Sequence, residues 1–175
     1  MNFYKVCLLL FFLFLNCLKV NSSENIIDIK NLLEGRYELV YWTENKIQYD
    51  YPEVAGVLVI NNNKALITMD KNMNANKSIE LIGWGRYKIN SKYFHIGWHD
   101  WKLLLIENNI KTVKKKSPWK GMRKYSVFLK DNKLILTSLT GKQTWELSQN
   151  SLVYKDKEWG EAKDEVVRYW KKIEY

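Results

Sequence analysis

The stretch from Leu81 to His99, LIGWGRYKINSKYFHIGWH, constrains the fold more than any other part of the sequence. It predicts two strands joined by a tight turn at Asn90-Ser91, with aromatic side chains on both faces and with Arg and His among them. A strand of an ordinary sandwich is apolar only on the side that faces the core. Aromatic residues on both sides instead favour a small barrel with a partly polar interior. Gly83 and Gly85 predict the sharp strand curvature that barrel closure requires.

The first 22 residues predict a secretory signal peptide. A basic start is followed by an apolar run from Val6 to Leu15 and then by small or polar residues, with cleavage expected after Ser22. The run is too short to span a bilayer comfortably. A lipoprotein signal at Cys17 is the alternative, although the Asn before it is a poor residue at that position. The mature chain is therefore expected to be secreted or periplasmic.

About 150 residues remain after cleavage, which is the size of one domain with its own core. Both cysteines of the chain, Cys7 and Cys17, lie in the signal segment, so the mature form is expected to have neither a disulfide nor a thiolate metal site. The formal net charge of +9 favours attraction to anionic surfaces such as lipid headgroups or acidic glycans. Export makes nucleic acid an unexpected partner, and we expect a monomer.

The rest of the chain divides into a lead-in and one barrel domain. Residues 23–34 predict a lead-in segment or short helix that ends before Gly35, and residues 35–175 predict the barrel. Short strands follow one another across hairpin turns rich in Asn, a residue that tolerates left-handed geometry. Thr43 to Pro52 is expected to be a polar loop, and Lys111 to Met122 a long basic connection. Asp156 to Asp164 is expected to be a charged insertion, with one helical turn as an alternative.

The last strand, Val166 to Ile173, is expected to pair with the first, Tyr37 to Trp42. Successive hairpins produce an up-and-down antiparallel sheet. An all-β chain with two free edges risks edge-to-edge association, and pairing of the first and last strands would remove both edges. The sequence therefore predicts a closed barrel.

Five sequence landmarks follow one another along the chain. They are Leu33-x-Gly35-x-Tyr37, the run Val54 to Ile60, Trp84-Gly85-Arg86-Tyr87 with Phe94-His95 after a turn, Pro118-Trp119-x-Gly121-x-x-Arg123, and Arg168-Tyr169-Trp170. The ordered set resembles the bacterial lipocalin-like domain family, although that family usually has Trp where this chain has Tyr37. The resemblance implies an all-β, up-and-down antiparallel β-barrel of the lipocalin or calycin type with a central cavity.

The resemblance also has implications for single residues. It implies a His at the position of His95, and it implies that Arg168 in the last strand packs over Tyr37 in the first through a cation–π contact. Most members of the family have no established activity. Two departures, the long spacer from Trp101 to Thr112 and the insertion from Asp156 to Asp164, prevent the transfer of a ligand identity.

The candidate ligand-binding residues are Tyr37, Trp84, Tyr87, His95, Trp98, Arg123 and Tyr125. The first five would line a cavity for a small hydrophobic or amphipathic molecule. This molecule would be mostly apolar, and one alternative is that it also carries an acidic group. Arg123 and Tyr125 would orient its polar end, because a buried Arg needs a carboxylate partner or an anionic ligand. The alternative for Arg123 is a structural salt bridge to Glu80 or Glu146.

Two further functions stay open at this point. One is binding of an anionic glycan or membrane surface through a basic loop, made of Lys111, Lys114, Lys115, Lys116 and Trp119; the simpler interpretation of this run is a solvated loop. The other is a barrel isomerase or cyclase that uses His95 as acid or base and Tyr125 as hydrogen-bond donor.

A binding protein is favoured over an enzyme. The sequence contains no nucleophile elbow, phosphate loop or zinc-protease motif, so no catalytic residue is assigned. His95 and His99 are the two histidines of the chain. They would lie about 13 Å apart along one strand, too far to share a metal ion, so neither a metal nor a cofactor is expected.

Overall fold

The computed structural model describes residues 25–117, 121–159 and 162–174, and for residues 114–117 it describes only the backbone. The predicted signal segment lies outside these residues. The described chain forms one short helix, residues 25–33, and twelve strands. No helix in this part of the chain is long and apolar enough to cross a membrane. The strands are β1 (Gly35–Glu44), β2 (Ile47–Asp50), β3 (Val54–Asn61), β4 (Lys64–Asn74), β5 (Lys77–Ile89), β6 (Tyr93–Glu107), β7 (Ile110–Ser117), β8 (Arg123–Lys130), β9 (Lys133–Ser138), β10 (Gln143–Leu147), β11 (Ser151–Trp159) and β12 (Asp164–Ile173).

Ten of these strands form a closed antiparallel barrel, in the order β1, β3, β4, β5, β6, β8, β9, β10, β11, β12. The chain therefore runs up and down around the barrel wall. The ring closes because β12 pairs with β1, from Arg36 opposite Ile173 to Glu44 opposite Val166. The predicted all-β barrel and the predicted pairing of the last strand with the first are both confirmed.

Three segments predicted as loops or connections contain strands. β2 pairs with the end of β1, and β7 pairs with the second half of β6. Asn45-Lys46 and Asn108-Asn109 have left-handed φ angles and form the two-residue turns of these hairpins. Each turn brings the short strand alongside a longer one whose backbone N–H and C=O groups need hydrogen-bond partners. The two segments therefore form strands although their side chains are mostly polar. In the segment from Asp156 to Asp164, β11 continues as far as Trp159.

Two β-bulges reverse the alternation of side chains along the barrel wall. The extra residue is Val40 in β1 and His99 in β6, and neither has an opposite partner in the ladder with β12 or β5. An odd spacing normally places two side chains on opposite faces of a strand. Across each bulge, two residues three positions apart instead both face inward: Leu39 and Trp42 in β1, and Trp98 and Trp101 in β6.

The backbone of β6 lies close to Gly85 of β5. A Cβ atom at this position would lie 2.1 Å from the carbonyl oxygen of Gly97, which no side chain allows. A Cβ atom at Gly83 would lie 2.9 Å from Cβ of Trp101. Both glycines flank the β6 bulge in the ladder between β5 and β6, where a larger side chain has no room. Their part in strand curvature stays a prediction.

The helix closes one end of the barrel. Its Ile29 and Leu33 are buried in the core. The hydroxyl of Tyr37 donates hydrogen bonds to the carbonyl oxygens of Leu32 and Leu33, each at 2.9 Å. These carbonyls lie at the helix C-terminus and have no partner within the helix, so the barrel interior satisfies them. The helix is thus attached to the barrel by apolar packing and by hydrogen bonds.

The basic residue that packs over Tyr37 is Lys172 rather than Arg168. Lys172 lies opposite Tyr37 in the ladder between β12 and β1, and its Nζ is 5.6 Å from the centre of the Tyr37 ring. Arg168 lies four residues earlier, opposite Trp42. The cation–π contact expected from the resemblance is therefore present at the helix end, and Arg168 occupies a different place in the interior.

Candidate ligand-binding site

A cavity of about 90 Å³ lies inside the barrel, and no residue of the helix lines it. Its wall is mostly aliphatic and aromatic, with two arginines and two tyrosines as polar groups. This composition is typical of a site for a small molecule with one polar end. The lining residues are Leu58, Ile67, Met69, Leu81, Ile96, Trp98, Trp101, Arg123, Tyr125, Trp145, Leu152, Tyr154, Trp159, Arg168 and Trp170.

Arg168 is the buried cation of this cavity, with 4% of its surface exposed. Its guanidinium carbon lies 4.3 Å from the ring centre of Trp42, 4.1 Å from that of Trp159 and 5.4 Å from that of Tyr154. Nε and Nη2 have no hydrogen-bond partner among the residues that the structure describes. Burial lowers the pKa of Arg168 to about 10, which leaves the group positively charged at neutral pH.

The two carboxylates whose charge acts on Arg168 have other partners. Asp156 is buried and accepts three hydrogen bonds, from the side chains of Tyr154 and Gln143 and from a backbone N–H group. Glu44 forms an ion pair with a lysine of β4. These contacts hold both carboxylates in place, so they reach Arg168 only as charges at a distance.

Gln143 connects Arg123 and Tyr125, which line the cavity, to the buried Asp156. Its Oε1 accepts hydrogen bonds from the Tyr125 hydroxyl at 2.7 Å and from Arg123 Nη1 at 3.1 Å, and its Nε2 donates to Asp156 at 2.7 Å. Burial raises the pKa of Tyr125 and raises that of Tyr154 further. Both hydroxyls therefore remain protonated donors at neutral pH.

Three of the predicted ligand-binding residues line the cavity: Trp98, Arg123 and Tyr125. The sequence offered Glu80 or Glu146 as a structural partner for Arg123. The structure pairs each of these glutamates with a surface lysine instead, and Arg123 bonds to the amide oxygen of Gln143. Arg123 therefore has a bond to a neutral amide group beside the cavity.

Tyr37 and Tyr87 lie inside the barrel but outside the cavity, at the end that the helix closes. The Tyr87 hydroxyl donates to Glu34, next to the helix, at 2.6 Å. Burial raises the pKa of both tyrosines well above the ordinary value. Their hydroxyl groups attach the helix to the barrel, and neither is available to a molecule in the cavity.

Trp84 and His95 lie on the outer face of the barrel, although both were candidates for the cavity wall. Trp84 is 50% exposed, and its ring centre lies 5.0 Å from that of His99. His95 lies beside Tyr93, with 6.2 Å between the ring centres, and alternation turns the neighbouring Phe94 inward. The isomerase or cyclase hypothesis needs an acid or base in the cavity, and His95 cannot reach it from the outer face.

The cavity wall also contains residues that were not predicted from the sequence, among them Arg168, Tyr154, Trp145 and Trp159. Arg168 and Tyr154 lie opposite each other in the ladder between β11 and β12, and both point inward. The available signal was the alternation around Arg168, which places this cation between the buried Val166 and Trp170 on one strand face. An arginine between two buried apolar residues of one face marks an interior polar site.

The predicted anion-binding run is only partly described. Lys111 lies in β7 and pairs with Glu80. Lys114, Lys115 and Lys116 belong to the same strand, but their side chains and all of Trp119 lie outside the described residues. β7 pairs with β6 alone among the described strands, and lysines on an edge strand discourage association with another chain. Binding of anionic surfaces stays a prediction, which the salt dependence of heparin binding would test.

Comparisons with protein-family models, with curated proteins and with solved structures found no match to this chain. The barrel is consistent with a calycin-like fold. The function therefore has to be argued from the cavity and its polar groups.

Proposed function

We propose that this protein is an exported lipocalin-like protein that binds a small, mostly apolar ligand with an acidic group inside its barrel. The ordered sequence landmarks and the closed up-and-down barrel support the assignment to the lipocalin-like family. The proposed function rests on one observation, the internal cavity, whose wall is apolar except for a few polar side chains. The basic start and apolar run at the N-terminus support export.

The volume of the cavity limits the ligand. Sites for drug-sized molecules measure roughly 300–1,000 Å³. At about 90 Å³, this cavity is too small for a retinoid or a haem. A small amphipathic molecule fits it without rearrangement of the wall.

Tryptophan fluorescence is a direct measure of cavity occupancy, because Trp98, Trp101 and Trp145 all line the wall. Titration with a panel of small amphipathic molecules is expected to produce a saturable change in the emission. Native mass spectrometry of protein from its own source would show a retained ligand. A panel that gives no saturable change in emission, together with ligand-free native protein, would refute the proposal.

A matched pair of substitutions identifies the place of binding. Ile67→Phe adds volume to a side chain that lines the cavity and should weaken binding. Ile82→Phe makes the same change on the outer face of the neighbouring strand, where the side chain is exposed, and should leave binding unchanged. Equal effects of the two substitutions would show that the ligand binds outside the cavity.

A further inference from the structure

We propose that Arg168 binds the carboxylate group of the ligand and that the ligand is a short aliphatic carboxylate. This inference rests on the proposed function, since it assumes that the cavity is the binding site. The two donors that carry it, Nε and Nη2, lie on one edge of the guanidinium and point in the same direction. They form a planar fork that matches the two oxygens of a carboxylate. Both are buried and have no partner in the described part of the chain.

Two tryptophans pack against the guanidinium of Arg168. The ring centres of Trp42 and Trp159 lie 4.3 and 4.1 Å from the guanidinium carbon, in cation–π contacts that hold the planar group in place. An acceptor that approaches in the guanidinium plane can satisfy both nitrogen atoms at once.

The charge of Arg168 calls for an anion. A buried guanidinium without a directly bonded acceptor is costly, because it has lost its water and gained no equivalent partner. Asp156 is already engaged by three donors, and Glu44 is paired with Lys71. A carboxylate on the ligand would supply both the charge and the acceptor atoms.

The volume of the cavity and the apolar character of its wall limit which carboxylates can bind. A dry cavity of about 150 Å³ is enough to bind benzene, and the present cavity measures about 90 Å³. Leu58, Ile67, Leu81 and Leu152 form much of the wall, so the rest of the ligand should be apolar. A short alkyl chain meets both conditions, whereas inorganic phosphate and long-chain fatty acids each fail one of them.

The experiment compares acids with their amides on the unaltered protein. Propionate and butyrate are titrated beside propionamide and butyramide, which have nearly the same size but no charge, and beside phosphate and dodecanoate. Fluorescence and thermal shift report binding. The acids are expected to bind about tenfold or more tightly than the amides, because a hydrogen-bonded charge replaces a neutral contact. Phosphate and dodecanoate are expected to bind more weakly than butyrate.

Equal affinity for acids and amides would overturn the inference while leaving the cavity function intact. Failure of the acids and amides alike, with tight binding of dodecanoate, would overturn the short-chain assignment and would still support a cavity ligand. Failure of every compound would count against both proposals. These outcomes are all read on the natural protein, so they do not depend on whether a variant folds.

Substitution then tests the residue itself. Arg168→Met should abolish the preference for acids over amides, and Arg168→Lys should retain only part of it, because an ammonium group cannot form the planar fork. Arg86→Met, on the outer face of β5, is the matched control and should bind like the natural protein. An Arg168→Met protein that folds and keeps the full preference for acids would place the carboxylate elsewhere, with Arg123 as the next candidate.

Discussion

Lys172 and Tyr37 both donate a hydrogen bond to the carbonyl oxygen of Leu32, and the lysine Nζ lies 5.6 Å from the tyrosine ring centre. The two residues are opposite partners where the last strand meets the first. One pair of side chains therefore joins three parts of the molecule: the helix, the opening strand and the closing strand. Barrel closure and helix docking are coupled through this contact.

Tyr37→Phe should lower the free energy of unfolding by about 1–3 kcal/mol, because the buried carbonyl group of Leu33 loses this donor and that of Leu32 keeps only the longer bond from Lys172. Urea unfolding measures the change, and hydrogen exchange should show faster opening of the helix. Tyr93→Phe removes a hydroxyl group from an exposed tyrosine on the outer face and should change stability little. Comparable losses in the two variants would argue against coupling through Tyr37.

Gly85→Ala should be strongly destabilising, by about 3 kcal/mol or more, because the added Cβ would meet the backbone of β6 rather than a movable side chain. Gly97→Ala, on the facing strand, brings its nearest contact to 3.1 Å and should cost only about 1 kcal/mol. Thermal and urea unfolding of both variants provide the comparison. A Gly85→Ala protein as stable as the Gly97→Ala protein would mean that the two strands can separate freely here.

Alkaline conditions should destabilise the protein. Burial raises the pKa values of Tyr37, Tyr87, Tyr125 and Tyr154. Between the unfolded value of about 10 and the higher folded values, the folded state keeps protons that the unfolded state has lost, so the free energy of unfolding falls as pH rises. Arg168 and Lys172 act in the opposite direction, since burial lowers the pKa of each, but they are two groups against four.

The measurement of this effect is urea unfolding at a series of pH values above neutrality, with tyrosinate absorbance as a second signal. Ionisation of the four buried tyrosines should coincide with unfolding, as a step in tyrosinate absorbance at the unfolding transition. The Tyr37→Phe protein has one fewer retained proton and should show a shallower decline. Tyrosine ionisation that is complete in the folded state would contradict the burial of these hydroxyl groups.

Deletion of the chain from Asp164 onward should cause aggregation, because it removes β12 and leaves the paired edges of β1 and β11 open. Light scattering and size-exclusion chromatography report the outcome. Removal of only the last two residues, which follow β12, is the control and should leave a monomer. A truncated protein that remains monomeric, with unchanged thermal stability, would show that closure by β12 is dispensable.

Much of the fold could be predicted from local features of the sequence. Alternating apolar residues and Asn-containing turns predicted strands and hairpins, because both depend on neighbouring residues alone. The pairing of the last strand with the first followed from the need to remove free edges. The strands β2 and β7 were missed because their polar side chains give no burial signal, and only the adjacent backbone shows that they pair.

The sequence determined the strands of the barrel wall and their closure into a barrel, but the tertiary structure decided which side chains reach the cavity. The bulge residues Val40 and His99 reverse the alternation and turn Trp42 and Trp101 inward. A bulge depends on the register between two strands that are distant partners, so it has no signature in either strand alone. The same long-range pairing places Arg168 opposite Trp42 and Tyr154. Because of this placement, Arg168 is the buried cation of the cavity, although the chain has many other basic residues.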